Sequence, residues 1–142
     1  MARVVADDHD REVDPFCPPV RRGGVRLCRA TAPADARLIF LAGSCPLHAD
    51  GSTAAVEDVA GQAAHAVENM RTALAESGAS LSDVISTRVL VASSEQADLV
   101  AAWEVVRDAF GDHDPPSTLM GVTVLGYDDQ LVEIEAVAAV RD

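Results

Sequence analysis

The stretch that decides the fold is residues 131–140, with the sequence LVEIEAVAAV, near the end of a chain of 142 residues. Its β-branched and small apolar residues predict a strand, and successive side chains of a strand point to opposite faces of a sheet. Glu133 and Glu135 therefore share one face, while the apolar residues at even positions share the other. If the apolar face packs on helices, the two carboxylates must point into solvent, into a subunit contact or into a site.

The segments upstream of this strand show alternating or helical periodicity. The residue after the first helix, Gly78, is typical of a C-terminal cap. Ser93, followed by Gln96, predicts a capping box at the start of the second helix. The predicted elements are strands at 25–30, 38–42, 84–91 and 118–125, helices at 57–77 and from 93 to 110, and a turn at 126–130.

This order predicts a single α+β domain, in which a mixed sheet carries two helices on one face. Residues 1–22 are predicted to form an N-terminal arm, because prolines interrupt regular structure there, and residues 23–142 the domain. Two helices cover only one face of such a sheet. The other face would carry Glu133, Glu135 and Val137, which predicts burial against another copy of the chain.

Composition excludes several classes of partner. The formal net charge of −12 argues against binding to nucleic acid or to an anionic membrane, since both need a positive surface. No apolar run reaches the length of a membrane span, and the first residues lack a hydrophobic signal region. Three cysteines without a C-x-x-C pair fit a reducing cytoplasm, and four scattered histidines predict no metal site.

Several motifs, taken together, resemble the Rid family, the reactive-intermediate deaminase or YjgF/UK114 group. Residues 115–125, PPSTLMGVTVL, followed by 132–138, VEIEAVA, are similar to its closing pattern P-[A/P]-R-[S/T]-x-φ-x-V-x-x-L and φ-E-I-E-A-φ-A. Residues 42–47, AGSCPL, resemble S-G-Q-φ-P-φ, and 78–84, GASLSDV, resemble G-A-S-L-x-D-V. A helical Q-x-x-x-x-x-x-N-φ corresponds to Gln62 and Asn69-Met70.

The resemblance implies a chorismate-mutase-like α+β fold that forms a homotrimer, with small-molecule sites in clefts between subunits. It implies an imine or enamine hydrolase that uses no cofactor and no metal. In the family, the glutamate matching Glu133 helps to hold and polarise a water, and the backbone around the glycine matching Gly43 contacts the ligand. Ser44 stands beside that glycine and is carried over as a ligand contact.

Other positions depart from the pattern. Ser117 stands where deaminating members have an arginine that grips the substrate carboxylate, and a serine cannot neutralise a carboxylate. Leu119 replaces a frequent cysteine, and Arg29 falls near a ligand-contacting tyrosine. We expect Arg29 either to face solvent or to supply the lost cation from another wall of the cleft. Ordinary 2-imino-acid deamination is therefore not expected.

The remaining candidates have structural interpretations. Cys45 is expected to be a small buried residue rather than a nucleophile, since no base or cation lies beside it in the sequence. Glu135 is expected to be paired with an arginine or exposed. Arg88 is a second candidate for the lost cation, and is expected rather to pair across the sheet with an acid. His113 is expected to be a solvated turn residue near the mouth of the cleft.

The sequence thus predicts acid–base chemistry by Glu133 on a small carbonyl or enamine-type metabolite: hydrolysis, tautomerisation or cyclisation. A trimer that binds a small ligand without turnover is the alternative. Ribonuclease activity, attached to some family members, is a third interpretation that the negative charge disfavours.

Overall fold

The computed structural model describes residues 20–22, 25–27 and 30–141, with side chains in the last range. Two strands, β1 (Val20–Arg22) and β2 (Val25–Leu27), form a separate antiparallel hairpin. The rest of the described chain is an α+β layer pair, as predicted. Its elements are β3 (Arg37–Phe40), α1 (Val59–Glu76), a 3-10 turn at Leu81–Asp83, β4 (Val84–Val91), α2 (Gln96–Phe110), β5 (Ser117–Gly121) and β6 (Val132–Val140).

The main sheet has the strand order β3-β6-β4-β5, so the decisive strand β6 lies inside it. β6 runs antiparallel to both neighbours, whereas β4 and β5 are parallel, which makes the sheet mixed. The register places Glu135 opposite Arg88 and Glu133 opposite Leu90. The two carboxylates therefore lie in neighbouring rows of one sheet face.

Both helices pack on the opposite face and enclose an aliphatic core. Ile134 of β6 is fully buried there against Met70 and Leu74 of α1, and Val106 of α2 is buried in the same cluster. Leu99, Trp103 and Phe110, which follow helical spacing along α2, also pack on this core. Neither described α-helix combines the length and apolar character that a bilayer span requires.

The first helix matches its predicted range to within two residues at each end. The Asp58 carboxylate caps it by accepting a hydrogen bond from the Gly61 N–H at 2.9 Å. Gly78 follows the end with φ +77°, a conformation that glycine adopts without strain. Glu57 and Asp58, the first two residues of the predicted range, precede the helix.

Two details of the sequence prediction are wrong. The capping box at Ser93 does not form: α2 begins after Glu95, and the Ser93 hydroxyl donates to the Asp98 carboxylate at 2.6 Å. The strand predicted at 118–125 ends at Gly121, because its partner β4 ends opposite it at Val91.

A register shift near the start of β4 changes which residue enters the core. Val84 is fully buried, whereas its neighbour Ile85 is only half-buried. Thr87, Val89 and Val91 are buried on the core face. The strand predicted at 25–30 is described at Val25–Leu27, as β2, and residues 28 and 29 lie outside the described residues. The boundary between arm and domain at residue 22 stays a prediction.

The second face of the sheet has no helix on it among the described elements. Phe40 is 73 % exposed and Leu38 46 % exposed on β3, and the Glu133 and Glu135 rows adjoin them. An apolar and acidic face of this kind fits the predicted subunit contact. We call it the open face below.

A truncation in the central strand tests the assignment of the core. Ile134→Ala removes a fully buried side chain, and we expect it to lower the free energy of unfolding by about 3 kcal/mol. Val124→Ala, at a position 76 % exposed, should change it by less than about 0.5 kcal/mol. Denaturant unfolding of both variants at one protein concentration measures the difference. Equal losses would contradict the assignment.

Candidate functional site

The site is built around the carboxylate of Glu133. The β6 register fixes its backbone opposite Leu90, and alternation along β6 places its side chain on the open face, where it is half-buried. The flanking residues Val132 and Ile134 are fully buried in the core. The position of Glu133 is therefore held by the central packing of the domain.

A loop after β3 lies directly over this carboxylate. The Ser44 N–H donates to the Ile134 carbonyl at 2.7 Å, and the Ile134 N–H donates to the Ser44 carbonyl at 3.1 Å. This bridge brings Gly43 onto the Glu133 side chain. A Cβ at Gly43 would overlap the carboxylate and lie 2.8 Å from Glu133 Cγ, closer than real Cβ contacts come. Glycine is therefore required here by space.

Two neutral donors converge on one oxygen of Glu133. The Gln130 Nε2 donates to Oε2 at 3.1 Å, and the Cys45 thiol donates to the same oxygen at 3.4 Å. Gln130, which the sequence analysis treated only as part of a turn, is 4 % exposed. The sequence shows only a polar residue just before a strand. Its burial, which would have marked it as part of the site, cannot be read from a single sequence.

The Cys45 thiol is held in its protonated form. Its pKa is raised to about 11 by burial first, and then by the charge and hydrogen bond of Glu133, with Gln130 acting in the opposite sense. At neutral pH the residue is thus a thiol donor and not a nucleophilic thiolate. The structural interpretation of Cys45 agrees with this, although the contact with Glu133, 88 positions away, was missed.

Two amide side chains of α1 hold the loops that form the site. The Asn69 Nδ2 donates to the Cys45 carbonyl at 2.7 Å and to the Leu47 carbonyl at 3.0 Å. Gln62, fully buried, accepts from the Leu131 N–H at 2.6 Å and donates to the Asp129 carbonyl at 2.8 Å. Seven residues separate the two amides, so they lie on one helix face. The spacing matched in the sequence therefore fixes both loops to one helix.

A depression of about 290 Å³ lies on the open face beside Gly43. It is also lined by Phe40, Arg88 and Glu135. The Arg88 guanidinium is 2.6 Å from the Glu135 carboxylate, so the predicted pairing of both residues is confirmed. Arg88 is thus engaged and does not replace the missing arginine as a free cation. No cluster of three potential metal ligands occurs among the described residues.

Comparison with known proteins identifies the family. A family model described as Endoribonuclease L-PSP matches residues 30–140. The chain belongs to this family, the YjgF/RutC or Rid family. A RutC family protein of Pyrococcus abyssi is 33 % identical over 100 residues, which cover 70 % of this chain and 76 % of the relative.

Solved structures show the same relationship. A member of the YjgF/YER057c/UK114 family from Mycobacterium tuberculosis is 34 % identical, with a TM-score of 0.61 over 75 % of this chain and 85 % of its own. The structure of Escherichia coli TdcF with bound serine is 26 % identical, with a TM-score of 0.64 over 79 % of this chain and 91 % of its own. The Rid fold predicted from the sequence is confirmed.

Within one chain, the predicted site residues of this Rid protein fall into two groups. Gly43, Ser44 and Glu133 lie together on the open face side. Ser117 and Leu119 lie elsewhere: the Ser117 hydroxyl contacts the Thr87 hydroxyl at 2.5 Å and donates to the Pro115 carbonyl at 2.9 Å. Since Thr87 faces the core, Ser117 is on the sheet face opposite to Glu133.

The other candidates are placed as follows. Leu119 is half-buried and packs on the core. Arg29 lies outside the described residues. His113 is not a solvated turn residue, which corrects the prediction: it is half-buried, with Nε2 2.6 Å from the Val84 carbonyl. It lines a second cavity of about 330 Å³, between the end of α2 and Ser117.

The contact between Gly43 and Glu133 can be tested by stability. Gly43→Ala should lower the free energy of unfolding by about 1–3 kcal/mol, because the new methyl group overlaps the carboxylate. Glu133→Ala in the same chain should restore much of this loss by making room. Gly126→Ala, where a Cβ meets nothing within 4 Å, is the matched control and should cost much less. Additive losses in the double variant would show that the two residues do not touch.

Proposed function

We propose that this Rid protein is a cofactor-independent enzyme in which Glu133 transfers protons to and from a small carbonyl or enamine-type metabolite. The reaction would be a hydrolysis, a tautomerisation or a cyclisation. The observation that carries the proposal is the Glu133 carboxylate itself, seated on Gly43 beside a depression of the open face. A carboxylate held against a residue that lines a concave surface can serve as a general acid or base for a ligand bound there.

The charges around the site favour a substrate whose recognised end is neutral. Ser117 cannot neutralise a carboxylate, and Arg88 is already bound to Glu135. Within residues 30–141, the hydrogen-bond donors on Glu133 are uncharged. An anionic substrate would therefore face a Glu133 carboxylate that no cation of its own chain contacts within residues 30–141. Arg29 stays a candidate for anchoring an acidic group from another wall.

We propose further that the site is completed between copies of the chain in a homotrimer. The exposed Phe40 and Leu38 beside the depression supply apolar surface for such a contact. Ser117 faces away from Glu133 in its own chain, so a neighbouring copy would have to bring position 117 to the open face. Escherichia coli TdcF, a relative whose structure holds serine, supports a small molecule as the ligand.

The alternative is a trimer that binds a small ligand without turnover. One observation favours it: Oε2 of Glu133 is already occupied by two donors of the same chain. Ribonuclease activity, which the family description names, is opposed by the net charge of −12. The cytoplasm is the proposed location.

The role of Glu133 is tested by exchange of the C2 protons of acetoacetamide in D2O, followed by ¹H NMR. Tautomerisation, hydrolysis of an enamine and cyclisation through an enolate each move a proton at the carbon next to a carbonyl or imine, so this neutral probe reports the step that they share. We expect the protein to accelerate this exchange. Glu133→Gln should lower the exchange rate by about 100-fold or more, because an amide cannot act as a general base.

Glu135→Gln is the comparison, since its carboxylate is on the same strand but is bound by Arg88. It should retain most of the exchange activity. Unchanged exchange in Glu133→Gln would refute the assignment. Acetoacetamide that binds equally to both proteins and exchanges only at the buffer rate would establish the binding-only alternative.

The preference for a neutral substrate is tested by acetoacetate, which differs from acetoacetamide in carrying a carboxylate. We expect kcat/KM to be higher for the amide in the unmodified protein. Ser117→Arg should raise the ratio of kcat/KM for acetoacetate to that for acetoacetamide by roughly 10-fold or more. A hydrogen bond to a charged group contributes an effect of this size. Faster turnover of acetoacetate by the unmodified protein would contradict our interpretation of Ser117.

A further inference from the structure

The two donors on Glu133 come from separate loops and meet on a single oxygen. Cys45 lies on the loop after β3 that also carries Gly43, and Gln130 lies just before β6. The other oxygen, Oε1, is the atom that a Cβ at Gly43 would overlap first. Oε1 therefore lies against Gly43, a residue that also lines the depression. The two oxygens of Glu133 thus have different surroundings.

Gln130 is fixed by its own hydrogen bonds. Its Nε2 donates to Glu133 Oε2 at 3.1 Å and to the Val132 carbonyl at 3.2 Å, while its Oε1 accepts from the Tyr127 N–H at 3.1 Å. Both amide protons and the amide oxygen therefore have partners, and the side chain is 4 % exposed. An amide held in this way cannot turn its oxygen toward Glu133 without losing all three bonds.

Cys45 has one proton to donate and two acceptors within reach. The Gly43 carbonyl is 3.6 Å from Sγ, and Glu133 Oε2 is 3.4 Å from it. The carboxylate is charged and nearer, so it is the better acceptor. Burial and the adjacent carboxylate raise the pKa of the thiol to about 11, which keeps this proton in place at neutral pH.

We propose that Gln130 and Cys45 are positioning residues, which clamp Oε2 of Glu133 and leave Oε1 to exchange protons with the ligand. The proposal rests on the proposed function of Glu133. The Rid pattern that this chain resembles has an apolar residue at position 45 and an unspecified turn before the glutamate. The clamp is therefore assigned from the contacts of this chain, and not from the pattern.

Turnover separates a positioning role from a structural one. Gln130→Met keeps the side-chain length without the amide, and we expect kcat for acetoacetamide exchange to fall by about 10-fold, with KM changed less than about twofold. Because Gln130→Met also leaves the Tyr127 N–H without an acceptor, Gln130→Glu is the second variant: it retains an acceptor there but has no amide donor. Both variants should show the kcat loss.

Cys45 offers a test by conservative replacement. Cys45→Ser retains a donor and should keep more of kcat than Cys45→Ala, which has none. A purely packing role would favour alanine, because a buried thiol behaves largely as a small apolar group.

A measurement without substrate checks the contact itself. Peptide-resolved mass spectrometry gives the rate at which iodoacetamide alkylates Cys45 at pH 8. Burial is the first cause of the raised pKa of the thiol, and the Glu133 charge is the second. Glu133→Gln removes that charge, so this rate should rise by roughly 10-fold. An unchanged rate would overturn the Cys45–Glu133 contact and the proposal with it.

The two levels of inference fail in different ways. Exchange that depends on Glu133 but is indifferent to Gln130→Met, Gln130→Glu and Cys45→Ala would overturn the positioning roles and leave the proposed function intact. No exchange in the unmodified protein would overturn the proposed function, and the catalytic role of the clamp with it.

Discussion

The structure depends on one constraint, which is that the inner strand β6 presents an apolar face to the helices and two carboxylates to the open face. A carboxylate drawn partly out of water needs partners, and the two residues obtain different ones. Glu135 is neutralised by Arg88 across the sheet. Glu133 receives only neutral donors within residues 30–141, and so no cation there neutralises its carboxylate. This difference separates a structural carboxylate from a candidate catalytic one.

The surroundings of Glu133 are assembled by contacts remote in sequence. Asn69 binds the loop that follows β3, and Gln62 binds the segment that leads into β6. One face of α1 therefore fixes the positions of both segments that surround Glu133. Gly43 then permits an approach that no other residue allows. Four residues that are far apart in the sequence therefore form one connected site in the fold. They are a glycine, a glutamate and two amides of one helix.

The sequence predicted the elements that local periodicity controls. Alternation of apolar and acidic residues predicted β6 and its two faces, and apolar residues at helical spacing predicted both helices. The open face was predicted because two helices cover only one side of the sheet. The sequence-based prediction was wrong where contacts with a distant segment determine the structure. These places are the register shift at Val84, the end of β5 and the position of His113. Gln130 was missed for the same reason, since its burial comes from packing between distant segments. The pairing of Arg88 with Glu135 was predicted correctly because it needs only the alternation of two adjacent strands.

The central claim is that Glu133 faces a small ligand between copies of the chain. The most direct measurement is a crystal structure of the assembled protein soaked with acetoacetamide. The account predicts a trimer in which Oε1 of Glu133 is within hydrogen-bonding distance of the ligand and a second subunit closes the cleft. A monomer, or a trimer in which the Glu133 side chain contacts only its own chain while the ligand binds elsewhere, would contradict the claim.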